Sequence, residues 1–289
     1  MEFLTVKKII KLIQSGQVNV KKHLGQNFLI DRNSRDKIIS FAEIEDTDTV
    51  VEIGPGLGAL TEKLIEQSKD VYAFEVDPQF CGILKERFSG VKSFHLLEGD
   101  FLQADEKWWQ TLPPKVKLIS NTPYYLSSQI SFKIIQFRDH ISTALITVQK
   151  EVGEKITSKW GSKNYGELSV LNYIYTNSKI CYSLKRDVFF PKPEVNSVVV
   201  KIQPLEKPKF QIEEEKSFQN FLHHIFMLRR KKLINVINKV FSLKKEVFKN
   251  ISTEELLFFD KRAEDLTPEN IYKVFTIINA LKKDNKGET

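Results

Sequence analysis

The residues with the most chemical content are Asn121-Thr122-Pro123-Tyr124. An asparagine side-chain carbonyl, with a backbone carbonyl at Thr122 or Pro123, can accept both N–H bonds of an exocyclic base amine. That nitrogen is a poor nucleophile because its lone pair is delocalised into the ring. Held by two acceptors it becomes pyramidal, and the lone pair turns outward. A methyl group aimed at it then needs only in-line alignment, so positioning carries the rate. Pro123 fixes the turn and leaves the preceding carbonyl free. Tyr124 offers a face on which an extruded base can stack. The methylated amine loses its proton readily to water, so no general base is required and no histidine stands nearby.

Such chemistry needs a donor pocket, and Val50 to Leu60 has the pattern of one. Apolar residues run into Gly54-x-Gly56-x-x-Ala59, and a helix-like segment follows. Glycine permits the tight turn and lets a ligand approach the backbone. Glu75, at the end of the next strand, is placed to hold ribose hydroxyls. The loop fits a nicotinamide dinucleotide and S-adenosylmethionine equally well. Asp100, in Glu98-Gly99-Asp100, can accept from an adenine amino group or simply cap a turn. Phe189, before the rigid Pro191-Lys192-Pro193, reads either as the far side of a base clamp or as a core residue. Asn27 and Leu29 belong to a polar, glycine-bearing stretch with the lysine pair Lys21-Lys22; spacing alone makes it a linker. Arg229, Arg230, Lys231 and Lys232 interrupt a long helical pattern, which suits either phosphate contacts or a solvated patch.

The elements that must position these residues follow an α/β rhythm. Strands are expected at 49–53, 71–76, 93–97, 116–120 and 143–148. Helices are expected at 34–42, 60–67, 80–88, 130–137 and 150–159. Alternation of this kind implies βαβ units and a parallel sheet. Segments 173–178 and 197–202 read as an antiparallel addition at the sheet edge. Prolines and the run Glu213-Glu214-Glu215 break the pattern near 203–215. Helical periods follow, with Thr253 and Thr267 as cap candidates for the last two helices. The expected domains are 1–205, α/β with an N-terminal amphipathic helix, and 206–289, small and all-helical.

Composition narrows the class. The 289 residues carry 44 Lys+Arg against 37 Asp+Glu, a net +7 that leans modestly towards a polyanionic partner. Residues 206–289 hold +4 of it. Cys81 and Cys181 have no metal or disulfide spacing, so no metal site is expected and a reducing cytosol fits. No apolar run has the ~18 residues a membrane span requires. The first helix lacks a signal-peptide core, and a cytoplasmic location is expected.

Together the motifs resemble the KsgA-type family of small-subunit rRNA adenine dimethyltransferases, from about residue 22 to 275. The resemblance rests on Gly25-Gln26-Asn27-Phe28-Leu29, Glu52-Ile53-Gly54-Pro55-Gly56, Glu98-Gly99-Asp100 and Asn121-Thr122-Pro123-Tyr124. Val148 to Val152, Tyr165 to Ser169, Phe189 to Ser197, Arg229-Arg230-Lys231 and Arg262 to Leu266 complete it. It implies a Rossmann-like methyltransferase domain with S-adenosylmethionine as donor, S-adenosylhomocysteine as product and no metal. It implies donor contacts from Asn27, Leu29, Gly54, Gly56, Glu75, Asp100 and Asn121, which lifts Asn27 out of the linker reading. Asn121, Pro123, Tyr124 and Phe189 become the catalytic set, and Arg229 to Lys232 an rRNA contact. The implied reaction is N6,N6-dimethylation of two adjacent adenosines in the 3′-terminal hairpin of 16S rRNA, on immature 30S subunits, by a monomer. Thr122 replaces a usual aliphatic residue, and Asn196 a usual aspartate. The rivals are an Erm-type methyltransferase of large-subunit rRNA, a binding protein that keeps the fold without its catalysis, and an NAD dehydrogenase.

Overall fold

The computed structural model describes residues 5–20, 26–241, 243, 248 and 251–286. Lys21, Lys22 and Gly25 lie outside them. In chain order the first elements are α1 Val6–Gln14, β1 Phe28–Leu29, α2 Arg32–Ser40, β2 Thr49–Ile53, α3 Thr61–Gln67, β3 Asp70–Glu75 and α4 Pro78–Arg87. Next come β4 Phe94–Glu98, α5 Glu106–Trp109, β5 Val116–Asn121, α6 Ser127–Gln136, β6 Ile141–Gln149, α7 Lys150–Thr157 and α8 Glu167–Tyr175. The chain closes with β7 Thr176–Leu184, β8 Phe189–Phe190, β9 Ser197–Pro204, α9 Glu215–Met227, α10 Leu233–Phe241, α11 Thr253–Asp260 and α12 Pro268–Lys286.

Seven strands form one sheet in the order β4-β3-β2-β5-β6-β9-β7. The first five are parallel, while β9 runs antiparallel between β6 and β7. Val50, Val51, Leu118, Ile119, Ala144, Leu145 and Ile146 are buried, as strands covered on both faces must be. Strand order reverses between β2 and β5, so the loops after them flank a crevice at the carboxyl edge of the sheet. The glycine loop follows β2 and Asn121 ends β5. This topology makes the site.

Contacts divide the chain into Met1–Glu154 with Thr176–Leu205, and Lys155–Tyr175 with Glu206–Thr289. One junction falls at the sequence boundary, but residues 155–175, read from sequence as part of the first domain, join the helical unit. Segment 173–178 also differs from expectation: α8 runs through Tyr175 and the strand occupies Thr176–Leu184. Leu168, Val170, Leu171, Ile174 and Tyr175 are all buried, so α8 is apolar around most of its circumference and shows no one-sided period. In the helical unit, Phe218 packs edge-on against Tyr272 and Phe275. Helix α11 is capped by Ser252, one residue before the expected Thr253, in a reciprocal box with Glu255. The Thr267 hydroxyl accepts from Asn270 N–H as expected.

Candidate active site

Strand β2 delivers its last residue, Ile53, into a loop whose Gly54, Gly56 and Gly58 have φ of +67°, +56° and +80°. Only glycine takes these angles without strain. A Cβ on Gly54 would lie 3.6 Å from the Pro123 ring, and one on Gly56 would lie 3.7 Å from Phe28. The loop thus presents bare backbone to the cavity and packs against the β5 turn.

Glu75 holds the loop. Its Oε2 accepts from Gly56 N–H at 3.0 Å, and its Oε1 accepts from Val76 and Asp77 N–H, both at 2.9 Å. A carboxylate has about four acceptor positions. Three are used, which leaves Oε2 one for a ligand hydroxyl. Burial pushes the Glu75 carboxyl above its ordinary range, while the three N–H donors pull it back. Asp100 caps the following turn, its Oδ1 accepting from Leu102 N–H at 2.9 Å, and the residue also lines the cavity.

Asn121 ends β5 with its amide fixed. Nδ2 donates to the Asn27 carbonyl at 3.2 Å. Only the amide nitrogen can face a carbonyl, so Oδ1 is left as an acceptor for something else. This contact explains the stretch that spacing made a linker: Asn27 orients the asparagine. The choice between Thr122 and Pro123 also narrows. The Pro123 carbonyl is engaged by Leu126 N–H at 2.9 Å, which leaves the Thr122 carbonyl the freer acceptor. The Thr122 hydroxyl donates to Ser120, and Ser120 donates to the Ile53 carbonyl, both at 2.9 Å. The polar departure at 122 is therefore satisfied and ties β5 to β2. Tyr124 is braced by a 2.7 Å hydrogen bond to Ser197 of β9, which sets its ring before any ligand arrives. Burial raises its phenol, with Ser197 working against the shift, so it stands as a neutral ring.

One cavity is lined by Gln26, Asn27, Leu29, Gly54, Gly56, Glu75, Asp100, Asn121, Pro123 and Tyr124. Phe189 is not among them. Its ring is 3% exposed and joins the core with Leu29, Ile119 and Val199. The clamp assignment for Phe189 is corrected by register: in the two-stranded β1–β8 pair Leu29 opposes Phe189 and Phe28 opposes Phe190. It is Phe28 that reaches the cavity. Sequence reasoning also missed Val76, exposed at the cavity beside Glu75, and Tyr125, 54% exposed next to Tyr124. It found α1 as an amphipathic helix but not that Ile9, 1% exposed, packs with Phe28, Leu57 and Phe80 to wall the cavity.

Glu52 is the unexpected ionisable group. It lines the cavity, is 2% exposed, and its Oε2 has no hydrogen-bond partner among the described residues. Burial raises its carboxyl from 4.5 to about 8, with the nearby Thr61 hydroxyl pulling down and Glu75 pushing up. The folded value exceeds the unfolded one, so the stability it contributes is full below pH 4.5 and is lost as pH rises through 8. Glu75 acts with the same sign. Glu52→Gln is therefore expected to flatten, without abolishing, the fall in melting temperature between pH 5 and 8. The gain at the alkaline end is on the order of a few kcal/mol. Parallel profiles for the two proteins would show that Glu52 is already charged.

The basic cluster differs from expectation. Helix α9 ends at Met227 and α10 begins at Leu233, so Arg229 to Lys232 form the turn between two helices rather than part of one. The backbone is diverted because Leu233 N–H bonds the Lys261 carbonyl and Lys232 bridges Arg262. Lys232 pairs with Asp260 at 2.7 Å and Arg229 with Glu264 at 3.5 Å. Arg230 and Lys231 are exposed, with no ion pair among the described residues.

A family model described as ribosomal RNA adenine dimethylase matches residues 17–280. The ribosomal RNA small subunit methyltransferase A of Clostridium botulinum (strain Kyoto / Type A2) is 34% identical over 264 residues, covering 91% of this chain and 96% of that protein. The protein of that name from Halothermothrix orenii is 35% identical over 250 residues, covering 85% and 82%. A solved dimethyladenosine transferase from Plasmodium falciparum superposes with a TM-score of 0.72 at 27% identity, covering 88% of this chain and 98% of the other. The 23S rRNA methyltransferase ErmE shares the fold, with a TM-score of 0.63 at 21% identity and coverage of 87% and 99%.

Proposed function

Because this chain belongs to the ribosomal RNA adenine dimethylase family, we propose that it transfers methyl groups from S-adenosylmethionine to the N6 of two adjacent adenosines in small-subunit rRNA. We place those adenosines in the 3′-terminal hairpin of 16S rRNA, within immature 30S subunits, and take the acting species to be a cytoplasmic monomer. The observation that carries the reading is the Asn121 amide, tied through Nδ2 to Asn27, with Oδ1 left without a partner among the described residues beside the donor cavity.

The residues present fit the donor. Bare glycine backbone, one open acceptor position on Glu75 and the carboxylate of Asp100 suit an adenosine, and acidic groups around the cavity suit a cationic sulfonium. Bound there, S-adenosylmethionine supplies an electrophilic methyl group. Asn27, Leu29, Gly54, Gly56, Glu75 and Asp100 hold it. Asn121 Oδ1 and the Thr122 carbonyl accept the two N–H bonds of the target amine and turn its lone pair outward. Pro123 keeps the turn, and the braced ring of Tyr124 stacks the extruded base. The neutral phenol of Tyr124 takes no proton.

Incubation with labelled S-adenosylmethionine and immature small subunits, followed by mass spectrometry of the rRNA, should find label on two adjacent adenosines. No label, or label on large-subunit rRNA alone, overturns the reading; the second outcome favours the Erm-type activity, whose fold this chain shares. For the rRNA contact, Arg230→Gln with Lys231→Gln is expected to lower the magnitude of the slope of log K against log salt by about 1–2. Arg229 and Lys232, already paired to acids, contribute less. An unchanged slope would make the turn an ordinary solvated surface.

A further inference from the structure

The glycine loop is held from two sides. On the cavity side Gly56 N–H is tied to Glu75 at the end of β3. On the opposite side the Arg87 guanidinium, from the last turn of α4, donates through Nη1 to the carbonyls of Leu57 at 2.5 Å and Gly58 at 3.3 Å. Its Nη2 donates to Glu62 Oε2, in the first turn of α3, at 2.6 Å. Arg87 and Glu62 are 12% and 8% exposed, and Arg35 stands 3.9 Å from the other Glu62 oxygen. One largely buried side chain thus joins the loop, its last glycine and the helix after it.

The residue types follow from this arrangement. A planar cation with five donors can meet two carbonyls and a carboxylate at once, whereas lysine offers a single nitrogen. A Cβ on Gly58 would lie 2.9 Å from the Phe88 ring and 3.2 Å from Arg87 Nη1, so glycine leaves the room the guanidinium occupies. Helix α4 follows β3 directly, so Glu75 at the end of the strand and Arg87 at the end of the helix grip the loop from a single strand–helix unit.

We propose that Arg87 is a positioning residue for the methyl donor. It fixes the Leu57 and Gly58 carbonyls and thereby the backbone of Gly54 and Gly56, without touching the ligand. The inference rests on the donor reading above.

The test uses the full chain and S-adenosylhomocysteine as probe, with binding measured by calorimetry and donor KM, rRNA KM and kcat measured separately. Arg87→Lys keeps the charge but has one nitrogen where Arg87 uses two, so it cannot hold both carbonyls and Glu62 at once. It is expected to raise Kd and donor KM about tenfold, the loss of roughly one charge-assisted hydrogen bond. Change in kcat should stay within about twofold, and rRNA KM should not move. Glu62→Gln, which leaves Arg87 in place with a weaker partner, is expected to raise Kd about threefold. Ile134→Val, in the core at α6, serves as a destabilised control and should leave Kd unchanged. Wild-type Kd in both Arg87→Lys and Glu62→Gln, or an equal rise in Ile134→Val at matched loss of melting temperature, overturns the proposal. Wild-type protein that binds no S-adenosylhomocysteine overturns the donor reading itself, and this inference with it.

Discussion

Asn121→Ala should fold normally, bind S-adenosylhomocysteine within a fewfold of wild type and lose methyl transfer by about a hundred- to a thousandfold, the usual effect of removing one preorganised polar contact to the reacting group. Among the described residues the side chain makes one internal hydrogen bond, to the Asn27 carbonyl, and it is only partly buried, so its loss costs little stability. What disappears is the acceptor that keeps the target amine pyramidal. The aligned geometry supplies the rate, so kcat falls while substrate affinity changes little. Asn121→Asp separates the two halves of the side chain. It keeps an acceptor but loses the donor to Asn27 and sets a charge against that carbonyl, so an intermediate rate is expected. Single-turnover measurements of all three proteins would check this, and near-normal turnover in the alanine variant would refute the amine-positioning argument.

The second large effect is expected at Glu75. Glu75→Gln retains size but offers one acceptor oxygen where two were used. If that oxygen stays with Val76 and Asp77, the new amide NH2 faces the Gly56 N–H, and two donors oppose each other inside the loop. The ribose acceptor on Oε2 is lost at the same time. Loss of charge-assisted hydrogen bonds at a buried site is worth about 1.5–3 kcal/mol each, so affinity for S-adenosylhomocysteine should fall by at least tenfold and towards several hundredfold. Melting temperature should fall as well, because the loop tie contributes to folding without ligand. Calorimetry and thermal melts measure the two separately; a Kd within twofold of wild type would remove Glu75 from the donor site.

Much of the donor loop was legible because its signals are local. Positive φ at Gly54 and Gly56 is a property of single residues, and buried parallel strands write themselves as Val-Ile-Leu runs. Glu75 and Asp100 sit at strand ends fixed by those runs. The edge of the sheet was less clear: α8 is buried too completely to show a helical period, so its last turn read as strand. Phe189 failed differently. Whether it or Phe28 meets the cavity depends on a two-residue pairing in which one step of register exchanges the faces.

The amino-acid sequence by itself determined the order of elements, the glycine loop and the Asn121-to-Tyr124 turn, because propensity, backbone freedom and hydrophobic period act within a few residues. Only the tertiary structure decided which way each polar group is aimed. The tie from Asn121 to Asn27 spans 94 positions and that from Arg87 to Leu57 spans 30. Hydrogen-bond direction over such separations is set by packing, and no local rule in the chain encodes it.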